Sequence, residues 1–133
     1  MILLETKQLK RVFCETGERL EILKNVDFAL AKNEFCVLTG ASGSGKSTFL
    51  NLVGALDTPT SGEILFEGKN LGAMTSAEKD EYHAKKVGFV FQFHHLLAEF
   101  TALENVCIPA RILTPCGNRK EILERAEALL EKV

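Results

Sequence analysis

The sequence predicts an α/β fold, on three observations. Its N-terminal part holds two stretches of mixed apolar and polar residues around a polar, glycine-bearing connection, the pattern of an antiparallel hairpin. A short apolar run then enters a glycine-rich turn that opens onto an apolar stretch of helical period, the order of strand, turn and helix in a layered core. The remainder carries three capping sequences, each ahead of a segment able to wind as a helix. At 133 residues the chain has the length of one typical domain. With 46% apolar and 26% charged residues, its composition excludes disordered, collagen-like and low-complexity classes.

In chain order, Leu3–Phe13 and Leu20–Leu30 are the expected hairpin strands, joined through Glu15-Thr16-Gly17-Glu18. Phe35–Thr39 (FCVLT) ends at Gly40 and reads as a strand buried on both faces. Lys46–Leu56, apolar at Phe49, Leu50, Leu52, Val53 and Leu56, reads as a helix inside the layer. Glu63–Glu67 is a further strand, entered through Pro59–Gly62 and left at Gly68. Thr75 and Glu78 form a capping box for a polar helix to about Lys86, and Val87–Phe91 (VGFVF) reads as a second interior strand. Thr101 and Glu104 open a helix limited by Pro109. Asn118 and Glu121 open a last one, whose Ile122, Leu123, Ala126, Leu129, Leu130 and Val133 share a face that should pack on a neighbour.

Several function classes are excluded early. Sixteen Lys+Arg against 18 Asp+Glu give a net charge of −2, so no basic excess points to nucleic acid or to a polyanionic membrane surface. No apolar run approaches the roughly 18 residues of a membrane span, and the start, MILLETKQLKR, lacks an export signal; we expect no direct membrane insertion. Cys14, Cys36, Cys107 and Cys116 stand far apart with no C-x-x-C pair and no histidine at zinc-ligand spacing. They read as free, buried thiols, and the cytoplasm as the compartment.

Gly40-Ala41-Ser42-Gly43-Ser44-Gly45-Lys46-Ser47 fits the phosphate-binding pattern G-x-x-x-x-G-K-[ST] (Walker A), between an expected strand and an expected helix. Glycines allow successive N–H groups to converge on an anion, and the helix N-terminus adds its positive end. A triphosphate is the natural ligand, with Gly40, Ser42, Gly43, Ser44 and Gly45 forming the cradle. Lys46 should reach the β- and γ-phosphates, the Ser47 hydroxyl a magnesium ion bridging them, and Thr48 the α-phosphate.

The strings GASGSGKSTFLNLVGALDTPTSGEILFEG and VGFVFQFHHLLAEFTALENV resemble the ATP-binding cassette (ABC) transporter ATPases over essentially the whole chain. QFHHLLAEFTALENV is most similar to the ATPase subunit of the bacterial lipoprotein-releasing transporter, with macrolide-exporter and cell-division ATPases as close relatives. Ala98 stands where those relatives usually carry proline. The resemblance implies a P-loop NTPase fold with ATP and Mg2+ as cofactors. It places Gln92 at the Q-loop, as a further magnesium ligand and a hydrogen-bonding partner of the attacking water. It places Phe13 where an aromatic ring stacks on adenine. His94 and His95, which lack a third metal ligand nearby, fall on a surface that meets a transmembrane subunit, with Leu96, Leu97 and Phe100 as apolar anchors.

The resemblance further implies transmembrane transporter subunits as partners, an ATPase dimer in the complete protein, and a cytoplasmic location peripheral to the inner membrane. The family's L-S-G-G-Q signature, the strand ending in Asp-Glu and the switch histidine do not occur before Val133. Residues 1–133 are therefore expected to be one partial ABC ATP-binding domain, truncated before the signature and not catalytically competent alone. The complete protein would be an ABC-type ATPase powering export or release of a substrate such as lipoprotein. The alternative is a non-hydrolysing nucleotide-binding remnant. A small P-loop kinase would need an arginine-rich lid, and Arg111, Arg119 and Arg125, the only arginines after the loop, stand in no lid-like glycine context.

Overall fold

The mixed apolar and polar stretches at the N-terminus pair as a long antiparallel hairpin, β1 (Ile2–Glu15) with β2 (Glu18–Ala31). A computed structural model of the chain describes every residue except Thr16, His94, Pro115 and Cys116, and for Glu15 the backbone alone. The hairpin is not regular: its register shifts between Thr6 and Leu9 and again on either side of Arg11. Gln8 sits at φ 50° within the first shift, with its N–H donated to Asp27 Oδ1 at 2.6 Å. Such bulges re-aim side chains, and both Thr6 and Leu9 are buried, the Thr6 hydroxyl donating to the Val26 carbonyl at 3.0 Å. β3 (Ser61–Phe66) pairs antiparallel with the other edge of β1, and a two-residue β4 (Lys69–Asn70) extends the sheet to the order β2-β1-β3-β4. Gly62 at φ 89° lets β3 start against the bulge, since a Cβ there would overlap the Gln8 backbone carbonyl.

One face of this sheet packs on α1 (Lys46–Val53) and α2 (Ser76–Lys85). Leu9, Leu23, Phe49, Leu52, Ile64, Leu71 and Tyr82 form the core. Burying a side chain such as Leu52 contributes about 1.5–3 kcal/mol. Phe49 meets Phe28 edge-on at 5.5 Å, and Tyr82 meets Phe66 at 5.0 Å, the T-shaped geometry aromatic rings favour. A 3-10 turn over Leu71–Ala73, capped by the Asn70 side chain, carries the chain to α2. α2 starts as expected at a complete Thr75–Glu78 capping box, and its polar sequence still delivers Tyr82 to the core.

The chain divides into two units, Met1–Val87 and Gly88–Val133. The second is built on α3 (Ala102–Leu113) and α4 (Arg119–Leu130), which pack on one another. Cys107 of α3 and Ala126 of α4 are its buried residues. Between the helices runs a groove of about 450 Å³, lined by Val106, Pro109, Leu113, Ile122, Ala126 and Leu129 among others. The expected apolar face of α4 is thus only partly covered, with Leu129 and Val133 exposed.

Five expectations need correction. Phe35–Thr39 and Val87–Phe91 form no strands: both run as irregular chain, with Phe35 89% and Val90 fully exposed. A doubly buried strand needs partner strands at both edges and a layer on each face, whereas the described strands pair only with one another. Phe35–Thr39 is exposed along its whole length, so water can reach its backbone groups. Pro109 does not limit α3, which runs through it to Leu113; Pro109 is exposed, where water can take up the Asn105 carbonyl it leaves without an N–H. α1 ends at Val53 rather than Leu56, because Gly54 caps it. Of the described thiols only Cys107 is buried, Cys14 and Cys36 being exposed, the latter on the unpaired segment. Cys116 lies outside the described residues.

Candidate functional site

The glycine-rich loop Gly40–Ser47 stands where the chain enters α1, and its glycines are demanded by geometry at two positions above all. Gly45, the residue before α1, has φ 91° and is buried against β2: a Cβ there would lie 3.0 Å from Leu23 Cδ2 and 3.3 Å from the Ile22 carbonyl oxygen. Gly43 takes φ 79° within the turn that the Ser44 N–H closes onto the Ala41 carbonyl at 3.2 Å. The Lys46 side chain folds back over the loop, its ammonium donating to the carbonyls of Gly40 (2.9 Å) and Ala41 (2.7 Å) and to Ser44 Oγ (3.3 Å).

The N-terminus of α1 has no side-chain cap and no acidic residue in its first turn. α2 and α3 both carry complete Thr/Glu boxes there. The first helical bond is that of Phe49 N–H to the Gly45 carbonyl at 2.8 Å, so the N–H groups of Lys46, Ser47 and Thr48 precede the ladder. Three backbone donors, a lysine ammonium and the exposed Ser47 hydroxyl therefore share one turn. That donor set suits a multiply charged phosphate with a hard cation. A cavity of about 280 Å³ adjoins the loop, lined by Leu23, Val26, Phe28, Gly40, Lys46 and Phe49 among others.

Phe13 belongs to the same unit. It pairs with Leu20 near the hairpin end, two positions beyond Arg11, whose partner Leu23 touches the Gly45 position. The hairpin end is thereby placed next to the loop. Phe13 is 36% exposed, and the Arg11 guanidinium lies over its ring at 4.5 Å from the centroid. Gln92 belongs to the second unit, exposed on irregular chain and not at a strand end as expected. His95 packs edge-on to Phe91 at 4.9 Å, while His94 lies outside the described residues. Among the described residues no group of three or more His, Cys, Asp or Glu could hold a metal ion.

Three residues placed around the loop and α1 escaped the sequence reading. Arg11 was detectable in principle, because residues two apart on a strand share a face with each other. The clamp that Tyr82 and His83 place on the far end of α1 had only a weak signal, a lone tyrosine in a polar helix.

The family model described as ABC transporter matches residues 23–133. The chain belongs to the ABC transporter family. Two solved structures of the cassette MJ0796 are similar to it, one a dimeric post-hydrolysis state bound to ADP and Pi, the other a dimer described as a bacterial ABC transporter cassette. Each is 35% identical with a TM-score of 0.86, over 97% of this chain and 56% of the other. This ABC transporter chain thus spans a little over half the length of the cassettes it matches and shares their P-loop NTPase fold. None of its helices is long and apolar enough to cross a membrane, among the described residues.

Proposed function

We propose that the chain is the N-terminal, ATP-binding portion of an ABC transporter ATPase, and that Gly40–Thr48 holds the triphosphate of MgATP. One observation carries the reading: the Lys46 ammonium makes exposed bonds to the carbonyls of Gly40 and Ala41, in the loop that enters the uncapped N-terminus of α1. Hydrogen bonds of that kind contribute about 1.5–3 kcal/mol each to a charged group. Phosphate oxygens can replace them, and a triphosphate brings more negative charge than two carbonyls do.

In this reading Lys46 holds β- and γ-phosphate oxygens, the loop N–H groups converge on them, and Ser47 holds magnesium. Thr48 adds an α-phosphate contact and Phe13 stacks on the base. Magnesium when bound neutralises charge on the phosphoryl oxygens. The complete protein would pair two such ATPases on transmembrane subunits at the cytoplasmic face of the inner membrane, and its motif QFHHLLAEFTALENV supports lipoprotein as the released substrate.

Calorimetric titration with MgATP tests the reading. Lys46→Ala should weaken binding by about 2–3 kcal/mol, the loss of a charge-assisted contact; equal affinity of the two proteins overturns it. Residues 1–133 contain no L-S-G-G-Q and no strand ending in Asp-Glu. Phosphate release by this chain should therefore match its Lys46→Ala variant, and a turnover of about 1 per second that disappears in the variant would contradict this.

A further inference from the structure

We propose that Arg11 is a positioning residue that strengthens the hold on the nucleotide base, acting by backing one face of Phe13. The inference rests on the reading of Phe13 as the base-stacking ring.

Arg11 and Phe13 lie two apart on β1, and the guanidinium carbon sits 4.5 Å from the ring centroid. The guanidinium is fixed from behind: its Nη2 donates to Asp57 Oδ1 at 2.9 Å, both side chains being half-buried. Asp57 follows α1, and its own N–H reaches the Asn51 carbonyl of that helix at 3.3 Å. The neighbouring backbone is tied the same way, Val12 N–H to Thr60 Oγ1 at 3.0 Å and Thr60 N–H to the Lys10 carbonyl at 2.9 Å. Ring, guanidinium and the helix that carries the glycine loop are thus one connected assembly.

Arg11 Nε is buried without a hydrogen-bond partner. An aromatic face is a weak acceptor for such an N–H. With one face taken by Arg11, the exposure Phe13 retains belongs to the rest of the ring. A cation on one side draws π density towards itself, which leaves the opposite face better matched to an electron-rich purine. The expected ligand is therefore a purine base placed by a fixed ring, not by a mobile one.

The test is the ratio of two affinities, MgATP over magnesium tripolyphosphate, which has the phosphates without the base. It is measured on the full chain and on Phe13→Ala, Arg11→Ala, Asp57→Asn and the Arg11→Ala/Phe13→Ala double variant. Phe13→Ala should lower the ratio about tenfold. Arg11→Ala should lower it about three- to tenfold, Asp57→Asn by less, and the double variant no further than Phe13→Ala. A purely structural arginine would weaken both ligands together and leave the ratio alone. If Arg11→Ala binds neither ligand, its fold is lost and Asp57→Asn, which keeps the guanidinium, decides by the same ratio. A ratio lowered by Phe13→Ala but unchanged by Arg11→Ala or by Asp57→Asn overturns the proposal alone. A ratio raised by Arg11→Ala overturns it too, because the guanidinium then occupies the base's place. A ratio unmoved by Phe13→Ala overturns the stacking reading and the proposal with it.

Discussion

The Tyr82 hydroxyl donates a 2.9 Å hydrogen bond to the carbonyl of Val53, the last residue of α1. Beside it His83 Nε2 lies 2.8 Å from the Gly54 carbonyl, which can only accept, so Nε2 carries the hydrogen. The last carbonyls of a helix have no partner within it, and α1 has no basic residue in its last turn. α2 therefore supplies from outside what α1 lacks, and the two ends of α1 differ: one clamped, the other open to an anion.

Burial pushes the Tyr82 phenol up to about 12 from its ordinary 10. A folded-state value above the unfolded one means that the protonated phenol favours the fold. That contribution is whole below pH 10 and is lost as pH rises from 10 to about 12. Urea midpoints should fall across this window, and absorbance of the sole tyrosine reads its ionisation directly. Tyr82→Phe should cost about 1 kcal/mol at neutral pH and lack that part of the alkaline fall; a variant with the same pH profile as wild type contradicts this.

Gly45→Ala should destabilise the first unit by about 1–3 kcal/mol and weaken nucleotide binding more than ten-fold, roughly, because φ 91° strains a Cβ-bearing residue and the close approach of Leu23 and Ile22 crowds it. Gly43→Ala meets no atom within 4 Å, although its φ is also positive. Chemical denaturation of both variants should show the larger loss for Gly45. The reverse order would mean that the close approach of β2 is not what matters.

Glu104 is held below the ordinary carboxylate range by the Thr101 backbone N–H first and the Thr101 hydroxyl second. A depressed folded value gives stability that is present above pH 4.5 and lost as pH falls through the lowered one. Thr101→Ala should cost about 1 kcal/mol as the loss of a cap and flatten the acid dependence of amide exchange at the start of α3. Identical exchange profiles would remove the box from the account.

Leu96, Leu97 and Phe100 are exposed on a segment held by one side chain: Asn105 pairs with both backbone groups of Leu97 and donates to the Phe100 carbonyl. In the complete ATPase, Leu97→Glu should reduce co-purification with the transmembrane subunits and leave MgATP binding intact. The backbone bonds of Leu97 are untouched by the change, so a fold defect is not expected. Undiminished co-purification refutes the docking role.

What was legible in the sequence is what local chemistry decides. The hairpin, the Thr75 and Thr101 boxes and the helix after Lys46 depend on neighbours within a few residues, and all are in place. Asn118 caps α4 as expected, accepting from Lys120 N–H and donating to Glu121, without the full reciprocity of a box. Phe35–Thr39 and Val87–Phe91 were misread because an apolar run signals burial, whereas a strand also needs edges to pair with. The loop's residues were readable from their spacing. That Gly45 must also clear Ile22 was not, because it is a meeting between segments more than twenty positions apart.

The placement of β1 between a neighbour that follows it at once and one that comes some fifty residues later sets an order of events. Glu15 pairs with Glu18 across the shortest of connections, while Lys7 must find Glu63. Closing the second loop costs more chain entropy, so on a growing chain the hairpin can zip before the glycine loop has been synthesised, and β3 arrives at an edge already laid down. Substitutions at Leu20 or Leu23 should then slow refolding, and those at Ile64 should mainly hasten unfolding. A chevron series in which Ile64→Val alters the refolding limb more than Leu23→Ala would reverse that order.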